Sequence, residues 1–327
     1  MTQNSATNHR ITGKTILQKA LQNGAYILLL LTCIVLTCVD SNFLTAANLT
    51  NVLLQTSITA VLAIGMTFVI CTGNIDISVG NLIGICSACG IALVMFRDCP
   101  WWLSMIVMVC VGLVFGVVNG LCVAYLKIPA MLVTLSTQCI AAGLVLVISN
   151  GKSWFNLPKE FTVVSGVKLL GIPLLVWIVL LLYVIFHFVL SYTTYGRKVL
   201  AVGGNREAAK VSGIHTSRII LSVYILCGGV AGIAAILQTG RLGAFYASMG
   251  AGMEMNVIAA TVIGGTAMNG GRGNIVGTFA GVLLMGVINN ALNLLGVDAN
   301  WQSVARGVII LIAVVLDAIR VRFDRNN

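Results

Sequence analysis

The chain alternates long apolar runs with short polar breaks, and this alternation restricts it to a bundle of membrane helices. Hydrocarbon offers no partners to backbone N–H and C=O groups, so a spanning segment must satisfy them internally, which takes about 20 mostly apolar residues as a helix. Ten candidate spans follow, near 25–39, 52–71, 81–96, 101–125, 130–149, 172–190, 219–238, 255–268, 275–296 and 302–319. The first, third and eighth are short, which makes each a candidate for a broken or re-entrant element. The expected fold is an all-α integral membrane protein with about ten transmembrane helices. Composition agrees, since 9% of residues are charged where soluble domains carry roughly 25%. The 35 glycines suit helices whose backbones approach closely, because lipid supplies no hydrophobic drive between them.

Charge orients the bundle. With both termini in the cytoplasm, Arg97, Lys152, Lys159, Lys168 and Arg241 fall outside and Arg306 lies within a span, while the other 13 of the 19 basic residues fall inside. That asymmetry obeys the rule that Lys and Arg collect on the cytoplasmic side. It also accounts for the net charge of +10 without nucleic acid. Arg10, Lys14 and Lys19 before the run from Tyr26 to Val39 resemble a secretion signal. No A-x-A arrangement follows, so an uncleaved first helix is expected.

Several chemistries lack their residues. Nine of the ten cysteines lie in or beside apolar spans, where cysteine acts as a small hydrophobe. Cys86 and Cys89 form a C-x-x-C with no histidine or second pair to complete a metal site. His9, His187 and His215 have no evident nucleophile or carboxylate beside them, and no G-x-x-x-x-G-K-[ST] phosphate loop is present. The expectation is a chain with no catalytic residues, no metal and no bound cofactor.

Two glycine-rich breaks stand out. In Gly73-Asn-Ile-Asp-Ile-Ser-Val-Gly80, Asp76 is the one charged residue between Asp40 and Arg97, and Asn74, Asp76 and Ser78 can cap the following helix. The segment either lines or gates a polar pathway, since irregular backbone at depth belongs beside protein or water, or is an interfacial turn. The second break, residues 264–273, repeats the order of apolar run, polar glycine turn and small-residue helix; Val69-Ile-Cys-Thr-Gly aligns weakly with Val262-Ile-Gly-Gly-Thr. Paired broken helices of this kind point to a translocation path. Asp76, Ser78 and Asn269 are its candidate lining or gate residues. Arg306 would cost at least ~2.5 kcal/mol facing lipid at mid-depth, so it should face protein, water or headgroups. Asp317 and Arg320 are spaced for a local pair.

The largest polar interruption runs from residue 191 to 218 and carries Arg197, Lys198, Arg206, Lys210 and Arg218 against the single acid Glu207. Asn205 can cap a short helix from Arg206 to Val211 that Gly213 ends, giving either a compact projection for a soluble partner or a solvated basic loop.

Together, residues 73–80, the run Gly203-Gly-Asn-Arg-Glu-Ala-Ala-Lys-Val-Ser-Gly-Ile214, residues 262–273 and Asn289-Asn-Ala-Leu-Asn-Leu-Leu-Gly-Val297 resemble the ribose-type monosaccharide permeases of ABC importers, within the branched-chain amino acid, ribose and xylose permease superfamily. The resemblance covers nearly the whole chain. It implies a cytoplasmic tail at 1–20 and one transmembrane permease domain at 21–327, in the inner membrane of a bacterium. It further implies a second permease, either another copy or a related chain, a periplasmic sugar-binding protein, and a cytoplasmic ATPase that holds the ATP and Mg²⁺. Gly203, Asn205, Arg206, Glu207, Ala208, Ala209 and Gly213 would then form the ATPase-coupling element, with Arg206 and Glu207 as ion-pair contacts. Ribose is the first expected sugar, then allose or xylose; a nucleoside permease and an ion-coupled secondary transporter are the alternatives.

Overall fold

The computed structural model describes residues 24–298, 300–305, 307–309, 311, 312 and 315. Arg10, Lys14 and Lys19, the signal-like N-terminus, Arg306 and the Asp317–Arg320 spacing lie outside the described residues. Twelve helices follow one another up to residue 294: α1 (Gly24–Val39), α2 (Ala46–Cys71), α3 (Val79–Arg97), α4 (Trp101–Ala124), α5 (Ala130–Ser149), α6 (Lys159–Gly166), α7 (Leu174–Tyr192), α8 (Thr194–Gly204), α9 (Arg206–Val211), α10 (Thr216–Leu242), α11 (Met253–Ile263) and α12 (Ile275–Leu294). The described residues between 300 and 315 are helical as well. Of these, α2, α3, α4, α5, α7, α10 and α12 are long and apolar enough to cross a membrane, whereas α1 and α11 are shorter apolar helices.

Nine of the ten sequence-predicted spans fall mainly on helix, with informative differences at their ends, and the described residues of the tenth are helical. Helix α2 begins six residues before the expected position 52 because Thr45 caps it, accepting from Asn48 N at 3.3 Å. Its polar first turns are compatible with burial because Asn48 and Asn290 of α12 exchange amide hydrogen bonds at 3.0 and 2.8 Å. Helix α10 runs on to Leu242 through Thr239, whose hydroxyl donates to Ser87 Oγ at 3.0 Å. A buried hydroxyl without such a partner would be costly. Helix α11 stops at Ile263, short of the expected 268, because the close pass of Gly264 along α12 turns the chain: a Cβ there would lie 2.5 Å from the Gly277 carbonyl oxygen.

Every residue of α2 from Ala60 to Cys71 is buried, so this helix, apolar on all sides, is the axis of the bundle. Leu30 of α1 and Val184 of α7, 63% and 67% exposed, belong to the outward faces suited to acyl chains. Helices α4 and α10 meet through Gly112, Gly116, Gly228 and Gly232; a Cβ on Gly112 would overlap the Gly228 carbonyl, and the reverse also holds. This is the small-residue crossing that membrane bundles use in place of hydrophobic drive.

At one end, Lys168 and Leu169 of β1 (Lys168–Leu169) pair antiparallel with Pro173 and Ile172 of β2 (Ile172–Pro173). Leu170 and Gly171 turn between them at positive φ. Trp154 and Phe245 join through two backbone hydrogen bonds of 2.9 and 2.8 Å. This bridge brings the connections that follow α5 and α10 together at that end.

Candidate functional site

The break between α2 and α3 is a largely buried turn with Gly73 exposed. Thr72 Oγ1 donates to Val69 O at 2.7 Å, Gly73 adopts φ 73°, and Asn74 Nδ2 donates to Thr72 Oγ1 at 2.8 Å. Asp76 Oδ1 then accepts from Ser78 N at 2.9 Å and from Ser78 Oγ, which turns the backbone into α3. Asn119 of α4 donates to Ser78 Oγ at 3.1 Å, and Tyr224 of α10 donates to Ile75 O at 3.3 Å. Asp76 and Ser78 are 1% and 0% exposed, so both side chains are buried among helices, while Gly73 in the same turn is exposed. Asp76 Oδ2 has no hydrogen-bond partner among the described residues. A half-satisfied carboxyl at this depth is a stored electrostatic cost, of several kcal/mol when ionised.

The second break leaves α11 at Gly264 and reaches α12 through glycines 265, 270 and 271, all at positive φ. Ala267 N donates to Arg272 O at 3.1 Å and Gly270 N to Ala267 O at 2.9 Å. Thr67 of α2 and Thr278 of α12 meet hydroxyl to hydroxyl at 3.1 Å beneath this loop. Asn269 is exposed, and its backbone, not its side chain, reaches the first break: a Cβ on Gly73 would lie 3.3 Å from Asn269 O. The structure therefore places Asp76 and Ser78 together and leaves the Asn269 side chain apart.

The polar segment 191–218 folds as two short helices. Helix α9 has the bounds that its caps predict: Asn205 Oδ1 accepts from Ala208 N at 3.0 Å, and Gly213 turns at φ 80°. Helix α8 was not foreseen. Gly196, Val199 and Val202 form its buried stripe, with Arg197 and Lys198 outside, a helical spacing that the surrounding charge obscured.

All three glycine segments converge. Gly271 N donates to Cys71 O at 2.9 Å, joining the second break to the end of α2. Gly203 lies between them, for a Cβ there would overlap the Cys71 carbonyl oxygen and stand 2.6 Å from Gly271 N. A Cβ on Gly270 would meet Gly73 N at 2.7 Å and Gly203 O at 2.9 Å. Arg206 completes the junction by donating from Nη2 to Thr72 O at 3.3 Å and Asn74 Oδ1 at 3.1 Å. Among the expected coupling residues, Gly203 packs in the junction and Ala209 is buried, while Asn205, Arg206, Glu207, Ala208 and Gly213 are exposed beside Val211, itself 89% exposed; of these, Arg206 reaches the first break with its guanidinium. Asn119 and Tyr224, which tie α4 and α10 to the first break, escaped the sequence reading. An isolated asparagine in the apolar run 101–125 was the available signal for the former.

Broken helices around an axial span, with the polar pair α8 and α9 fastened to both breaks, define a multi-pass membrane permease. The chain belongs to the family described as branched-chain amino acid transport system / permease component, whose model matches residues 48–314. It is similar to the ribose import permease protein RbsC of Escherichia coli strain K12, at 34% identity over 95% of this chain and 98% of that protein. Similarity to the ribose import permease of Bacillus subtilis strain 168 is 38% over 90% and 92%. For the D-allose transport system permease protein AlsC of Escherichia coli it is 36% over 84% of each. No solved structure matches the chain.

Proposed function

We propose that this chain is the membrane-spanning subunit of an ATP-driven importer that carries a monosaccharide, ribose foremost and allose or xylose next, across a bacterial inner membrane. The observation that carries the reading is the glycine junction, because Gly203 at the end of α8 packs between both broken elements and Arg206, at the start of the adjoining α9, holds the first. A partner that displaces α8 and α9 together displaces both breaks. Both termini face the cytoplasm, where a separate ATPase binds ATP and Mg²⁺ and grips Glu207 and its exposed neighbours. A periplasmic binding protein delivers sugar on the opposite face, and a second copy of the chain closes the route. Burying unpaired sugar hydroxyls costs roughly 2–7 kcal/mol each, so the route must be water-accessible and must open alternately to the two sides.

Vesicles containing the permease, the ATPase and the binding protein encoded with it test the reading. Uptake of radiolabelled ribose should require ATP on the ATPase side and the binding protein on the other. Asp76 and Glu254, each with one buried carboxylate oxygen unpartnered among the described residues, support the competing ion-coupled reading. Uptake driven by a proton or sodium gradient without ATPase would establish that alternative. ATP-dependent uptake of a nucleoside in place of any monosaccharide would redirect the substrate.

A further inference from the structure

Helices α2, α11 and α12 enclose a cavity of about 50 Å³ lined by Gln55, Thr59, Asn256 and Asn289 together with Thr56, Val282, Met285 and Gly286. We propose that Gln55, Thr59, Asn256 and Asn289 form the sugar-contacting stretch of the translocation route and select neutral polyhydroxyl solutes; this rests on the importer reading. Three features argue for it.

First, these polar groups come from three helices yet are not consumed by packing. Asn256 Oδ1 is buried without a partner among the described residues, whereas the neighbouring Asn48 and Asn290 satisfy each other. Gln55 is exposed and Thr59, Asn256 and Asn289 are partly so. An exposed amide on a spanning helix belongs beside water or protein, not acyl chains.

Second, the lining is polar but carries no ionisable side chain. Amides and hydroxyls donate and accept, as sugar hydroxyls do. A branched-chain amino acid would bring an ammonium and a carboxylate with no counter-charge to meet either, at heavy desolvation cost. The chemistry thus chooses a neutral polyol from among the solutes that the family description and its relatives' names suggest.

Third, the same three helices reach the glycine junction at their other ends: α2 at Cys71, and α11 and α12 on either side of the second break. From Gln55 to Cys71 is about 24 Å at 1.5 Å per helical residue. Movement at the junction is therefore delivered to the walls of the cavity. Its present volume suits about three waters, less than a monosaccharide, so passage requires these walls to part.

The test uses the complete importer in vesicles. Thr59→Val, Asn256→Leu and Asn289→Leu, of similar size to the native side chains, should each lower ribose uptake about fivefold, the loss expected for one net hydrogen bond. In a chain whose exposed Cys38, Cys110 and Cys139 are replaced by serine, Asn256→Cys and Asn289→Cys should react with a charged thiol reagent at least about tenfold faster than Val184→Cys, since the reactive thiolate needs water. Ribose with the loaded binding protein and ATP should slow that reaction. Unreactive cysteines at 256 and 289, or normal uptake by all three apolar variants, would overturn the assignment. If the unmodified complex moves no monosaccharide, the importer reading's substrate fails separately. Reactivity then decides whether the cavity is a water-lined route, and slow labelling overturns that too.

Discussion

Arg206 holds Asn74: its Nη2 donates to Asn74 Oδ1 at 3.1 Å and to the neighbouring Thr72 carbonyl at 3.3 Å, tying the first residue of α9 to the break after α2. The residues lie far apart in sequence, and the contact makes α9 a lever on the break. Arg206→Lys keeps the charge but loses the planar fork that reaches two acceptors. Sugar moved per ATP hydrolysed should fall in Arg206→Lys and Arg206→Gln. Glu207, exposed and next along the helix, should behave differently: Glu207→Arg should weaken ATPase capture while leaving the permease's thermal stability unchanged. Transport ratios equal to the parent's in both Arg206 variants would remove the lever.

Gly203 and Gly204 are adjacent but differ sharply in space. A Cβ on Gly203 would overlap the Cys71 carbonyl oxygen, whereas one on Gly204 would sit 3.8 Å from Gly271 Cα, an ordinary contact. Gly203→Ala must push backbone against backbone, and overpacking of this kind costs about 1–3 kcal/mol or more. Gly204→Ala should leave the melting temperature in detergent close to that of the parent. Gly203→Ala should lower it clearly and, where it folds, uncouple hydrolysis from uptake. A Gly203→Ala variant as stable and active as Gly204→Ala would contradict the junction's geometry.

How much of this was readable in the chain depends on the range of the interaction. The α9 helix was legible because its caps are local: Asn205 and Gly213 lie within a few residues of the turns they close. Both glycine breaks were legible for the same reason. The junction was not, since Cys71, Gly203 and Gly271 meet through backbone atoms and no side-chain pattern records the encounter. Asn48 made the start of α2 look like loop because its partner, Asn290, stands at the far end of the chain. Asn269 failed as a partner for Asp76 since the turn at Gly270 and Gly271 sends its side chain outward. The polar cavity likewise needed the packing of α11 on α2 and α12 before its four side chains could be seen to share one space.

The paired amides of Asn48 and Asn290 offer a measure of how this bundle tolerates polarity. Each Nδ2 donates to the other's Oδ1, and Asn48 Nδ2 also reaches Phe43 O at 2.8 Å. Asn290→Leu leaves the buried Asn48 Oδ1 without its donor, with an expected loss of about 1–3 kcal/mol. The double variant Asn48→Leu/Asn290→Leu should recover part of that loss, because no buried amide is then left unpaired between the two. Unfolding by denaturant across the four-member cycle measures the coupling, and strict additivity would mean that the reciprocal pair contributes nothing.

Asp76 separates architecture from transport. Its Oδ1 shapes the turn through Ser78, and Ser78 in turn accepts from Asn119, so Ser78→Ala removes one acceptor and one donor from a buried chain of bonds. A loss of about 2 kcal/mol is expected for Ser78→Ala. Asp76→Asn retains a carbonyl oxygen for the Ser78 N–H and removes the charge from a carboxyl whose second oxygen is buried without a partner among the described residues. Desolvation opposes that charge, so Asp76→Asn should be at least as stable as the parent. If the carboxyl serves the proposed route, uptake should nonetheless fall. Thermal melting and vesicle uptake on the same preparation decide the matter: a stable Asp76→Asn variant with full uptake would assign the carboxyl to the turn alone.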